Sequence, residues 1–331
     1  MITTHKTESL KETQQVADEF AKSLKKGDVV FLHGQLGAGK THFVAEVAKA
    51  LGVVTRTNSP TFTISRTHSA KSGLLLHHID LYRLETEKEI ENAGVYDIIN
   101  NNDGIVFVEW AEKMDGFSLP TYDINIEVIS DTERGITIIK CMDFDDAVDS
   151  FKKGKIGIFP TDTAFGVGCR IDDKDSVKQL FKIRNRPENK PILALADSFE
   201  MAKKYVELSD EILEKLAKKY WPGELTIVLP CKKNLVPDIV RAGGETLAVR
   251  IPNSKNLRDL IVKVGVPILA PSANLSGGKT PFTFTDLDKN LLCLVDFIVY
   301  GSSKIRREST IIDCSKKPWE ILRRGAVEVI L

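Results

Sequence analysis

Gly34-Gln35-Leu36-Gly37-Ala38-Gly39-Lys40-Thr41 is the stretch of this chain whose residue types and spacing most directly specify chemistry. Gly34, Gly37 and Gly39 let the backbone curl so that successive N–H groups face an anion. Lys40 can then reach the β- and γ-phosphates of a nucleotide, and the Thr41 hydroxyl is a ligand for Mg²⁺. The octet has the GxxxxGK[ST] form, which carries this meaning only between a strand and a helix. DVVFLHG before it has the pattern of a buried strand, and residues 42–51 after it that of a helix with Phe43, Val47, Ala48 and Leu51 on its apolar side. An ATPase of this kind also needs an acid at the end of a hydrophobic strand. LLLHHID ends in Asp80 and GIVFVEW carries Glu109 at its end, so these two carboxylates are the candidates. Strand-end acids are also common for no catalytic reason. His77 and His78 beside Asp80 invite a metal reading, but neighbours on a strand point to opposite faces.

A second group lies in the back half. The strand IGIFP runs into Thr161-Asp162-Thr163 and then Phe165-Gly166-Val167-Gly168. Hydroxyls and a carboxylate beside paired glycines suit a polar ligand, or only a turn. DSVKQLFKIRNRPENKPI concentrates positive charge; Val177, Leu180, Phe181 and Arg184 have helical spacing, and Pro187 pushes Arg186 out of the helix. Lys182 and Arg184, two apart, cannot share a face of a regular helix, and converge only if the helix unwinds or a ligand bridges them. They are either a solvated basic helix end or a clamp on a polyphosphate, for which Arg offers a fork and Lys a point charge. GVPILAPSANLSGG predicts a strand at 266–270 leading into a polar loop with Ser272, Asn274 and Ser276, suited to cradle a nucleotide or substrate. Arg306, Arg307, Arg323 and Arg324 add cations near the end of the sequence.

These groups need scaffolds, and the length provides for two. A chain of 331 residues exceeds what one core usually organises. The periodicity predicts a helix at 9–24 with Leu10, Val16, Phe20 and Leu24 on one face, and a hairpin at 122–130 and 135–141 around DTERG. FDDAVDSFKKGK predicts a short amphipathic helix directly after it, and interspersed short strands and helices then predict a mixed α/β sheet, with no GxGxxG fingerprint. The formal charge of zero conceals a gradient: residues 1–140 carry 15 Lys+Arg against 20 Asp+Glu, and residues 141–331 carry 31 against 26. The back half is the better partner for anions. The five cysteines are odd in number and form no CxxC pair, which predicts reduced thiols rather than disulfides or zinc. With no apolar run of signal-peptide or membrane-span length, the expectation is a cytoplasmic protein with no membrane partner.

The quoted motifs also carry two resemblances. GQLGAGKT, SPTFT (59–63), the HxDLYRL stretch (78–84) and FVEW (107–110), in that order, resemble TsaE, a small P-loop ATPase needed to form threonylcarbamoyladenosine in tRNA. The resemblance implies that Lys40 and Thr41 serve ATP and Mg²⁺, that Thr61 lies in a switch-like loop, and that Asp80 and Glu109 form the acidic part of the site, Glu109 with Thr41 on the metal. FPTDTAFGVGC, KIRNRPENKPI, WPGELTIVLP, LAVRIPN, APSANLSG, STIID and ILRRGAV resemble the YrdC/TsaC/Sua5 threonylcarbamoyl-AMP synthases. This second resemblance implies a twisted α/β sheet around a concave positive cavity that binds ATP, L-threonine and bicarbonate. It maps the family's KxR and SxN residues onto Lys182, Arg184, Ser272 and Asn274, and puts Thr161 and Thr163 in the threonine and nucleotide pocket. It gives Arg250, Ser309 and Arg323 contacts to phosphate or carboxylate. Phe165, Glu224, Glu308 and Arg324 depart from the family's usual residues, and Phe165 lacks a hydroxyl that Tyr would offer.

Together these imply α/β architecture throughout: a P-loop ATPase domain at 1–141 and a synthase domain at 142–331. The expected product, threonylcarbamoyl adenylate, would pass to a TsaD-type transferase with its TsaB-type partner, so that tRNA is met indirectly. The rival readings are a YrdC-like module that binds double-stranded RNA without synthase activity, carbamoyl transfer in hydrogenase maturation, and a small-molecule kinase. Few aromatics interleave with the basic residues, which disfavours base stacking.

Overall fold

A computed structural model of the chain describes residues 2–53, 60, 63–101, 103–114, 120–187 and 191–329. The chain divides into two compact units, Met1–Cys141 and Met142–Leu331.

The first unit is a seven-stranded sheet with the order β1-β7-β6-β2-β5-β4-β3. Its strands are β1 (Ile2–Thr7), β2 (Val29–His33), β3 (Ser65–Ser69), β4 (Leu75–Asp80), β5 (Gly104–Glu109), β6 (Tyr122–Val128) and β7 (Arg134–Lys140). β2 pairs in parallel with both β5 and β6, and β5 in parallel with β4. β3, β7 and β1 add antiparallel margins. Strands covered on both faces need continuous apolar sequence, and VVFLH and GIVFVE are buried at every position. The helices are α1 (Leu10–Ala21), α2 (Lys40–Ala50), α3 (Glu87–Asn92) and α4 (Val95–Asn101). α1 begins at the Ser9 cap, whose side chain accepts from the Glu12 N–H. It is shorter than the predicted 9–24, and its buried face is Thr13, Ala17, Phe20 and Ala21, leaving Leu10 exposed. Phe20 and Phe43 join α1 and α2 in one core with β2, β5 and the hairpin β6–β7.

In the second unit α5 (Phe144–Lys152), capped by Asp143, leads into β8 (Gly157–Pro160), which pairs antiparallel with β9 (Phe165–Gly168). β14 (Phe297–Ile298) completes that three-stranded sheet. A six-stranded sheet has the order β13-β10-β12-β11-β15-β16. Its members are β10 (Leu193–Leu195), β11 (Leu225–Pro230), β12 (Thr246–Arg250), β13 (Ile268–Leu269), β15 (Thr310–Asp313) and β16 (Glu320–Arg323). The strand predicted at 266–270 contracts to β13; the flanking residues instead bond across to β9, through Val167 N–H to Pro271 O and Ala273 N–H to Phe165 O. α6 (Lys174–Ile183) lies between β9 and β10 and ends at Arg184, followed by Asn185 at φ 49°. The helix therefore stops in the middle of the KIR run. Among the described residues no helix is long and apolar enough to cross a membrane, and no disulfide forms.

Candidate functional site

Each unit brings one cluster of the chemically suited residues together. In the first, the loop 34–39 links β2 to α2 at the carboxyl end of the parallel strands, where open α/β sheets place their ligands. Gly34, Gly37 and Gly39 have φ of 141°, 79° and 106°. Only glycine suits Gly34, because a Cβ there would stand 2.4 Å from Ile126 O on β6. Arg134 on β7 fixes the other side of the loop by donating from Nε to Ala38 O at 3.0 Å. The loop is thus tied to both strands of the hairpin.

Lys40 is 5% exposed. Its ammonium donates to Gly34 O at 2.5 Å and Gln35 O at 3.2 Å, and stands 3.8 Å from the centroid of the Trp110 ring. Burial lowers its pKa, opposed by the fields of Glu109, Glu112 and Asp80. Thr41 Oγ1 donates to Glu109 Oε2 at 3.0 Å, and Glu109 Oε1 lies 2.7 Å from His78 Nε2. Asp80 and Glu109 are register partners on β4 and β5, and Asp80 Oδ1 accepts from Tyr82 N–H at 2.9 Å. His77 turns to the other face, toward Thr67 and Asp103, as alternation on a strand requires. Lys40, Thr41, Asp80 and Glu109 are therefore neighbours, whereas Thr61 lies outside the described residues.

His33 closes β2 and is not among the expected site residues. Its Nε2 lies 2.8 Å from Asp123 Oδ2 and its Nδ1 3.3 Å from Glu112 Oε2. Burial works against its charge, but the two carboxylates outweigh burial and push its pKa up to about 10. The available signal was a histidine closing an otherwise apolar strand directly before the glycine loop.

In the second unit a cavity of about 280 Å³ is lined by Thr161, Thr163, Arg184, Arg250, Ser272 and Ser309, with Arg186 and Arg323 among further residues. Arg184 is buried and donates from Nε to Asn274 O at 3.0 Å and from Nη2 to Asn274 Oδ1 at 2.9 Å. Ser272 Oγ donates to the same Oδ1 at 2.7 Å, so the helix end and the SAN loop form one hydrogen-bonded unit. Arg184 Nη1 is buried without a partner among the described residues. Burial, and then the field of Arg186, lower the Arg184 pKa to about 10.

Arg250 is 2% exposed, and neither its Nε nor its Nη1 has a hydrogen-bond partner among the described residues. Its Nη1 is at ion-pair distance, 3.2 Å, from Asp162 Oδ1. Burial lowers its pKa against the pull of Asp162 and Glu224. Arg323 donates to Ser309 through Nε to O at 2.9 Å and Nη2 to Oγ at 3.1 Å. Thr161 and Thr163 are within 3.1 Å of each other through their hydroxyls, at the turn between β8 and β9. Phe165 lines the cavity as an apolar wall, wholly buried. Two candidates are not part of the cavity lining: Asn274, which stands behind it as the partner of Arg184 and Ser272, and Lys182, which is exposed on the last turn of α6 while Arg184 two residues on turns inward. Arg186, half-buried and in the lining, adds a cation that is not among the expected site residues.

Comparison with known proteins places both units. The family model described as Telomere recombination, for Sua5, YciO and YrdC proteins, matches residues 149–325, and the TsaE model matches residues 7–137. The TsaE protein of Rickettsia conorii is 37% identical over 137 residues, 41% of this chain and 77% of that protein. The chain belongs to the Sua5/YciO/YrdC family over its second unit and to the TsaE family over its first. The threonylcarbamoyl-AMP synthase of Pyrococcus abyssi is 36% identical over 182 residues, 55% of this chain and 53% of that relative. The chain thus spans about half the length of that synthase. The crystal structure of P. abyssi Sua5 complexed with L-threonine superposes with a TM-score of 0.53 at 35% identity, covering 55% of this chain and 54% of that one.

Proposed function

We propose that the protein acts twice in the formation of threonylcarbamoyladenosine in tRNA. Its second unit makes L-threonylcarbamoyl adenylate and pyrophosphate from L-threonine, bicarbonate and ATP, and its first hydrolyses ATP in support of the later transfer to adenosine. The observation that carries the first half is the pair Arg184 and Arg250, whose Nη1 and Nε respectively are buried with no hydrogen-bond partner among the described residues, beside a cavity that also presents Ser272 and the Thr161 turn. Buried donors left unpaired are costly, and an anionic oxygen relieves that cost.

The amine of threonine takes up the carboxyl group of bicarbonate with loss of water. The resulting carbamate oxygen attacks the α-phosphorus of ATP as the bond to the bridging β-oxygen breaks, and pyrophosphate leaves. Arg184 and Arg250 offset charge on the phosphates, the SAN loop orients the Arg184 fork, and no covalent enzyme intermediate is needed. In the first unit the P-loop amides and Lys40 cradle the β- and γ-phosphates once the ammonium leaves Gly34 O and Gln35 O. The Thr41 hydroxyl and the Glu109 carboxylate, 3.0 Å apart with Asp80 on the neighbouring strand, are hard oxygen donors of the type Mg²⁺ prefers. Such an ion would neutralise phosphate charge.

The adenylate is an activated intermediate, so its consumers are a TsaD-type transferase and its TsaB-type partner in the cytoplasm, and tRNA is met through them. The test is pyrophosphate release from ATP with and without L-threonine and bicarbonate. Release that depends on both is expected. Release indifferent to threonine, or none, defeats the synthase reading, and salt-sensitive RNA affinity in its place would favour the RNA-binding rival.

A further inference from the structure

The acidic end of the first unit holds a histidine that the sequence motifs left without a role. His78 lies on β4, wholly buried, with its Nε2 2.7 Å from Glu109 Oε1. A carboxylate accepts and does not donate, so the ring nitrogen that faces it is the donor. The other nitrogen, Nδ1, is buried with no hydrogen-bond partner among the described residues. The second carboxylate oxygen, Oε2, accepts from the Thr41 hydroxyl at 3.0 Å. Glu109 is thus gripped from two sides, by an N–H from β4 and an O–H from the first turn of α2, and the plane of its carboxylate is fixed. The strand period puts the ring there: His78 and Asp80, two apart on β4, share a face, and Asp80 is the register partner of Glu109 on β5. Asp80 has an anchor of its own in the Tyr82 N–H.

We propose that His78 is a positioning residue: it fixes the Glu109 carboxylate beside the Thr41 hydroxyl and so sets the affinity of the first unit for a divalent cation carried with nucleotide. A glutamate side chain free to turn must be ordered when an ion binds. Outer hydrogen bonds that order it beforehand strengthen metal binding. His78 acts through Glu109 and needs no contact with nucleotide or ion. This rests on the reading of Thr41 and Glu109 as ligands for Mg²⁺.

The test is titration calorimetry of the full chain with ADP, in Mg²⁺ and again in EDTA, counting only the heat that Lys40→Ala abolishes. His78→Leu keeps an apolar bulk and removes the donor. It is expected to weaken ADP binding in Mg²⁺ by about tenfold and in EDTA by less than about twofold. His78→Gln, whose amide N–H can reach as far as Nε2, is expected to stay within about threefold of the parent in both. His78→Asn, polar but one methylene shorter, is expected to lose as His78→Leu does, so the contrast between the two amides decides even if leucine prevents folding. In a Glu109→Ala chain, adding His78→Leu should weaken binding no further, because the ring acts through that carboxylate. Equal losses in Mg²⁺ and EDTA, an unchanged His78→Leu, indistinguishable amides, or a further loss in the Glu109→Ala chain would each overturn the proposal. A parent chain that binds ADP equally in Mg²⁺ and EDTA would defeat the reading of Thr41 and Glu109 as ligands; a parent that prefers Mg²⁺, with His78 variants that keep the preference, would overturn the role of His78 alone.

Discussion

Arg184 shows how much a single residue type decides. Its fork serves Asn274 twice and leaves Nη1 for a ligand, a division of labour that one lysine ammonium cannot reproduce. Arg184→Lys is expected to lower threonine-dependent pyrophosphate release by about a hundredfold and to raise the KM for ATP, read by steady-state kinetics; loss of less than about threefold would show that charge alone suffices. His33 supports a prediction of the opposite kind, about stability. Its folded pKa, about 10, stands above the ordinary 6.5. A raised pKa contributes stability fully below the unfolded value and loses it as pH climbs through the folded one. The advantage of the wild type over His33→Gln in urea unfolding should therefore be largest below about pH 6.5 and fade toward pH 10, where equal stabilities are expected. A constant gap across that window would mean that His33 acts by shape. The sequence made Arg184 legible because its motif is local. His33 was not legible, because its partners Asp123 and Glu112 are some 90 and 79 positions away and only strand pairing brings them near.

At the scale of elements, the glycine loop was readable because strand, octet and helix are contiguous, so local sequence alone specifies them. The hairpin was also readable, from alternation around DTERG. Its role was not: β6 and β7 brace the loop through Ile126 O and Arg134, contacts made across about 90 positions. The bracing predicts a difference between two glycines of one loop. Gly34→Ala puts a methyl 2.4 Å from Ile126 O, at φ 141°, whereas a Cβ at Gly37 meets nothing within 4 Å. Gly34→Ala is expected to cost about 3 kcal/mol and Gly37→Ala about 1 kcal/mol, its φ of 79° being the sole strain. Equal shifts in chemical denaturation would show that the hairpin does not brace the loop. α1 carries the reverse lesson. Its periodicity was visible, but Ala17 and Ala21 face the core and Leu10 does not, because close packing on α2 favours small residues where the helices approach.

For the whole molecule, zero net charge is the sum of an acidic front half and a basic back half, and each half has its own sheet structure, core and cluster of candidate site residues. Length and charge asymmetry made this division legible, whereas the strand orders were not, since β1 joins β7 and β10 joins both β12 and β13 across long stretches of chain. Such ownership predicts separable activities. Lys40→Ala removes the ammonium that would meet the phosphates in the first unit, so ATP hydrolysis without threonine should fall by about a hundredfold while threonine-dependent pyrophosphate release persists. Arg184→Gln should give the opposite pair of results. Residues 142–331 expressed alone hold every residue of the back cavity, and should fold cooperatively and keep adenylate formation within about threefold of the full chain. If a single substitution silences both activities in folded protein, the two sites are one functional unit. Loss of synthesis in a folded 142–331 fragment would lead to the same conclusion from the other side, since the residues that bind and orient the reactants would be present and yet insufficient.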